Sequence, residues 1–159
     1  ITGNALTTGT LLNLVSSSAG QTAGSISYLA CNDGAVDVFS VGVNGHVETR
    51  GTSPTIVVTT ANGITGAAIA ASNDDTCGTI TTTGTSTGST VLTITYNAAY
   101  AFAPKVFLMP ANAAAGNPNT QWIISSTTTT TAVLTVASGG TYAATPSWYY
   151  FVVESGSST

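Results

Sequence analysis

The sequence predicts an all-β protein, and three observations carry that expectation. Residues 91–96 alternate, with Leu92, Ile94 and Tyr96 on one side and Thr93 and Thr95 on the other, which is the period of a half-buried strand. Thr, Ser, Asn and Gly are abundant, and these residues suit turns and β surfaces but sit poorly inside helices. From Gly78 onward, short β-branched or aromatic runs are separated by turn signals at spacings of roughly 10 to 15 residues, the pattern of a small antiparallel sandwich or barrel.

Composition narrows the partners. Of the 159 residues, 43% are apolar and only 5% charged, far below the ~25% charged residues usual in soluble domains. Solubility must come from hydroxyls and amides instead. The length allows one moderate domain, or a small domain with an extended stalk. The net charge of −4 sets six acids against Arg50 and Lys105. Two distant cations do not neutralise a run of phosphates, so nucleic acid is not an expected partner. A polybasic membrane anchor fails for the same reason. No apolar run approaches the ~20 residues needed to span a bilayer, so membrane insertion is not expected. The segment from Ile1 is Thr/Gly-rich with no basic start, and no signal peptide is expected within it.

Cys31 and Cys77 are the cysteines of the chain and His46 its histidine. Without a C-x-x-C spacing, a zinc site is not expected. The thiols read as buried and free. The alternative is a disulfide from the N-terminal part to the C-terminal domain, which needs an oxidising compartment and suitable geometry.

Taken in order, residues 1–30 hold short apolar beats (Leu6, then 11–15, then 26–29) between Thr, Ser, Asn and Gly. Each beat is too short to bury itself, and a lone two-stranded ribbon is marginal in water. Symmetric association of identical chains supplies the missing surface, with Leu6, Leu12, Leu14 and Ile26 facing a shared axis. A flexible linker is the competing reading, from the Ser/Gly content. Residues 31–51 contain an Asn32-Asp33-Gly34 turn, a strand through Val36, Val38, Val41 and Val43, and Asn44-Gly45 as a type I′ hairpin signal. His46, Glu48 and Arg50 share a face of the return strand, where Glu48 and Arg50 are placed to form an ion pair. Pro54 breaks the chain, residues 56–58 form a short strand, and Ala61-Asn62-Gly63 turns. Residues 67–71 read as a connector or a small-residue strand. Asn73-Asp74-Asp75 invites a calcium reading, but the D-x-D-x-D-G spacing is missing and a solvated turn is preferred.

The C-terminal part is expected to open with a hairpin, residues 79–83 and 91–96 joined by a Gly/Ser/Thr loop. Residues 105–109 are apolar on both faces, as are residues 147–153 (SWYYFVV), where Tyr149, Phe151 and Val153 oppose Trp148, Tyr150 and Val152. Strands run through 122–126 and 132–137, with loops at 110–120 and 139–146. Two doubly apolar strands exceed what so small a sandwich can bury, and the surplus, Phe107 included, predicts a subunit interface.

The segment FSVGVNGHVETRG resembles the F-x-V-x-x-x-G-x-V-x-x-x-G joint of phage tail fibre proteins, where the shaft gives way to a terminal domain; the matching residues are Phe39, Val41, Gly45, Val47 and Gly51. Upstream, GNALTTGTLLNLVSSSA resembles the Leu-, Thr- and Ser-rich shaft repeats of the same proteins. Downstream, an A-Y-x-x-A-P-K-V step (residues 99–106), P-A-N-A-A (110–114) and an aromatic last strand are similar to a C-terminal β domain of phage fibre and appendage proteins. The resemblance implies a short intertwined β shaft followed by a small antiparallel β-sandwich tip, homotrimeric, with residues 1–51 as shaft and hairpin joint, 52–77 as connector and 78–159 as tip. A phage-derived cellular adhesive fibre would look the same.

The resulting expectation is a trimeric fibre-tip adhesin on a virion or extracellular appendage, binding a cell-surface glycan or protein and joined to other fibre or virion proteins. Receptor contacts on such tips sit in loops held by the sheet. Asn112, Asn117, Asn119, Trp122, Tyr100 and Tyr142 are the candidate contacts, the aromatics as exposed rings that stack on sugar. The alternative is a structural decoration or fibre-capping protein without a receptor. No catalytic residues, metal or cofactor are expected. His46 and Glu48 lack a nucleophile, and the six acids lie mostly in turns or chain ends rather than as the paired carboxylates of glycoside hydrolysis.

Overall fold

The computed structural model describes residues 27–32, 37–42, 45–84, 90–116, 122–136, 145–154 and 156. Among them the protein is all-β, with eleven strands in three antiparallel sheets and no helix. The chain divides into two compact units, residues 1–50 and 51–159.

In the first unit, β1 (Ser27–Asn32), β2 (Asp37–Gly42) and β3 (Val47–Thr49) form a meander in the order β1-β2-β3. Gly45 takes φ +76°, which an Asn-Gly hairpin turn requires, and its N–H donates to Gly42 O. Ser40 is buried opposite Glu48, and Arg50 Nη2 donates to Glu48 Oε2 at 2.7 Å. Both side chains of that pair are substantially exposed, so it contributes about 0–1 kcal/mol. Leu6, Leu12 and Leu14 lie outside the described residues, as does Ile26.

In the second unit, two four-stranded sheets share one core. One has the order β4 (Thr55–Thr60), β7 (Val91–Thr95), β10 (Thr131–Val136), β9 (Trp122–Thr127). The other has the order β5 (Ile64–Ile69), β6 (Cys77–Gly84), β11 (Ser147–Val153), β8 (Lys105–Pro110). Consecutive strands thus take matching places in opposite sheets. The expected hairpin of residues 79–83 with 91–96 does not form: β6 pairs with β5 and β11, and β7 pairs with β4 and β10. Both segments have inward apolar or small faces (Ile80 and Thr82; Leu92 and Ile94), and each fills its own side of the core.

Residues 52–77, expected as a connector, contribute an edge strand to each sheet. The turn between β4 and β5 puts Asn62 at φ +35° and Gly63 at φ +91°, and the Ile64 N–H donates to Ala61 O at 2.7 Å. That turn carries the chain from one sheet to the other. The core is the inward parity of the strands: Ile64, Ile80, Leu92, Ile94, Ala132, Leu134, Trp148, Tyr150 and Val152, flanked by Tyr96, Ala115 and Trp122. Outward positions of β4, β7 and β10 are Thr or Val, and Thr59 and Thr93 hydroxyls meet at 2.9 Å.

Leu92, fully buried at the centre of its sheet, is expected to lose about 2–5 kcal/mol on Leu92→Ala. Thr95→Ala on the outer face should stay within about 0.5 kcal/mol. Urea unfolding of both variants checks this, and equal losses would refute the parity.

Candidate functional site

Parity aims half of β8 and half of β11 at solvent. The ladder sets Phe151 beside Phe107, Tyr149 beside Met109 and Val153 beside Lys105. On its other side β11 places Phe151 beside Cys77 and Tyr149 beside Thr79 of β6. The result is a contiguous face on which Phe107, Met109, Tyr149, Phe151 and Val153 are 57%, 61%, 51%, 50% and 42% exposed. A depression of about 430 Å³ lies there, lined by Phe107, Leu108, Met109, Tyr149, Tyr150 and Phe151. With aromatic side chains offering roughly 150–250 Å² each, these five expose on the order of 450 Å², within the ~300–600 Å² of the largest and often functional patch on a monomer. The doubly apolar runs of the sequence pointed to these strands. The parity of SWYYFVV separates Tyr149, Phe151 and Val153 from their buried neighbours.

The candidate receptor residues are placed differently. Asn112 is exposed but its amide is engaged: Nδ2 donates to Thr145 O at 3.0 Å, and Oδ1 accepts from Ala115 N at 2.9 Å and Ser147 N at 3.4 Å. Tyr100 is half-buried, donates from its hydroxyl to Asp75 O at 2.9 Å, and meets Tyr96 edge to face at 4.9 Å. Trp122, expected as an exposed ring, is buried, because the inward position that opens β9 packs it edge to face on Trp148 at 5.5 Å. Asn117, Asn119 and Tyr142 lie outside the described residues. Cys31 and Cys77 are exposed, not buried as expected; Cys77 takes the outward position beside Phe151.

The acidic turn is structural. Asp74 is buried and its Oδ1 accepts the N–H groups of Thr76 at 2.7 Å and Cys77 at 2.9 Å. Asp75 accepts from Asn97 N and Ala98 N, each at 2.8 Å. Tyr150 donates its hydroxyl to Asp74 O, and Gly78 makes room for it, since a Cβ there would lie 2.6 Å from the Tyr150 hydroxyl oxygen. Carboxylates spent on backbone N–H groups are poor calcium ligands. Among the described residues, no group of three or more His, Cys, Asp or Glu is placed to hold a metal ion.

No protein-family model, curated protein or solved structure matches the chain.

Three tyrosines around the acidic turn resist ionisation. Burial first, and the Asp75 charge second, push Tyr96 up to about 12. Burial, then Asp75, raises Tyr100 further, and burial, then Asp74, does the same for Tyr150. The unfolded chain releases these protons near pH ~10, before the folded one does. Their contribution is therefore complete below that pH and is lost as pH rises through the folded values. An alkaline titration should show part of the phenolate absorbance appearing together with loss of the β circular-dichroism signal. Full ionisation of all six tyrosines with the fold intact would refute this.

Proposed function

We propose that three copies of the chain form the end of an adhesive fibre of phage tail type, on a virion or extracellular appendage, which attaches to a cell-surface glycan. The observation that carries the reading is the outward apolar face of β8 and β11. Its area, on the order of 450 Å², is the right size for the centre of an interface burying about 800 Å² per partner. Closed symmetry gives every copy the same cover. The threefold and the adhesive role follow from the resemblance of the joint and tip segments to phage fibres. A two-sheet sandwich with a shared core is the kind of framework on which receptor-binding loops are carried.

In light scattering on the purified chain, the expected mass is three times 15.8 kDa. Phe107→Lys combined with Phe151→Lys should give a monomer that keeps its β circular-dichroism spectrum, since both side chains point away from the core. A wild-type chain that stays monomeric at micromolar concentration overturns the assembly. A trimer that labels no cell or glycan surface overturns the adhesive role.

A further inference from the structure

We infer that the outer edge of β8 is a docking site for an extended segment of a partner protein, which adds to the sheet as a further strand and carries an acidic residue opposite Lys105. Among the described residues the sandwich has four edge strands, β4, β9, β5 and β8. An unpaired edge invites pairing with any other strand, and β-bulges are one of the devices that prevent it. Three of the four edges carry one. Thr59 in β4, Thr65 in β5 and Ser125 in β9 are each an extra residue that breaks the register with the inner neighbour. Each also ties its hydroxyl to that neighbour: Thr59 to Thr93 Oγ1 at 2.9 Å, Thr65 to Thr83 Oγ1 at 3.1 Å, and Ser125 to Val133 O at 3.0 Å.

The β8 edge is built differently. Its ladder with β11 runs from Lys105 to Pro110 without a break, and it contains no hydroxyl residue. Its guards stand only at its ends, a lysine at one and a proline without an N–H at the other. Between them Val106, Phe107, Leu108 and Met109 offer a regular row of backbone groups, and only another extended backbone satisfies such a row.

The side chains beside the edge state what the added strand carries. Directly opposite residues of neighbouring strands share a face. Residues opposite Phe107 and Met109 meet the exposed apolar face and its depression, so they are apolar. Residues opposite Val106 and Leu108 point inward, where a second hollow of about 220 Å³ is bordered by Leu108, Trp122 and Trp148, and small side chains fit there. Lys105 is exposed and has no hydrogen bond or ion pair among the described residues. In antiparallel addition the residue opposite it closes the incoming segment, and charge complementarity makes that residue an acid. This edge is reached in the plane of the sheet, whereas the face assigned above to sister copies is covered from outside it.

The peptide TVTVTE places glutamate opposite Lys105, valines opposite Phe107 and Met109, and threonines opposite Val106 and Leu108. Labelled with fluorescein and titrated with the full chain, it should show a saturable rise in anisotropy. The same peptide with every backbone nitrogen methylated should not bind, because it cannot donate to the edge. TVTVTK should bind up to about fivefold more weakly, the worth of one exposed ion pair. Lys105→Glu, an exposed change that leaves the circular-dichroism spectrum intact, should reverse the order of the two peptides.

No saturable binding at millimolar concentration overturns the site, as does equal binding of the methylated peptide or an unchanged order in Lys105→Glu. Light scattering on the same samples separates this inference from the assembly proposed above. A monomeric chain that binds TVTVTE upholds the edge and dismisses the trimer, and a trimer that binds no peptide does the reverse. Peptide that takes the assembly apart into single chains places a sister copy in the edge and overturns the separate partner.

Discussion

Everything in the second unit depends on a two-residue parity held across both sheets. A chain with 5% charged residues cannot rely on charge to tell inside from outside. It uses β-branched hydroxyls against aliphatic and aromatic hydrocarbons instead, Thr93 against Leu92 and Thr131 against Ala132. A slip of one residue in any ladder would exchange those sets and bury hydroxyls without partners. On β8 and β11 both parities are apolar, so register there is not set by hydrophobicity. It is set by the pairing of β11 with β6 and by the Tyr150 hydroxyl reaching Asp74 O.

Much of this was legible in the residues. The alternation of 91–96 is β7 and the start of its loop, with Leu92, Ile94 and Tyr96 all buried. The two-faced character of 105–109 and 147–153 marks the strands whose outer halves are exposed. Partner choice was not legible. Alternation states which side of a strand is buried and is silent on which strand lies beside it, so β6 and β7 read as a hairpin although they belong to opposite sheets. The same limit hid residues 52–77, whose strand at 56–58 was visible but whose place at the edge of the sandwich was not.

Individual side chains were harder than strands. Trp122, Ile123 and Ile124 are three apolar residues in a row, and nothing local says that Trp122 and Ile124 turn inward while Ile123 is exposed. Asp74 and Asp75 resemble a cation loop in composition, but their carboxylates are spent on N–H groups within the turn and more than twenty residues along the chain. Asn112 looked available because it sits in a polar loop; its amide instead holds that loop to Thr145 and to the start of β11. For Asp75 and Asn112 the hydrogen-bond partner comes from the fold, and only a three-dimensional arrangement reveals it.

The position of β11 has a consequence for how the chain matures. β11 follows the other described strands in the chain yet is an inner strand of its sheet, flanked by β6 and β8, which must wait for it. Until it arrives, β8 has no ladder partner in that sheet and β6 has only β5. That sheet therefore closes only once β11 is available, by joining segments some 76 residues apart. In that interval the hydrogen-bonding edge of β8 is unpaired, and pairing with other chains competes with completion of the subunit.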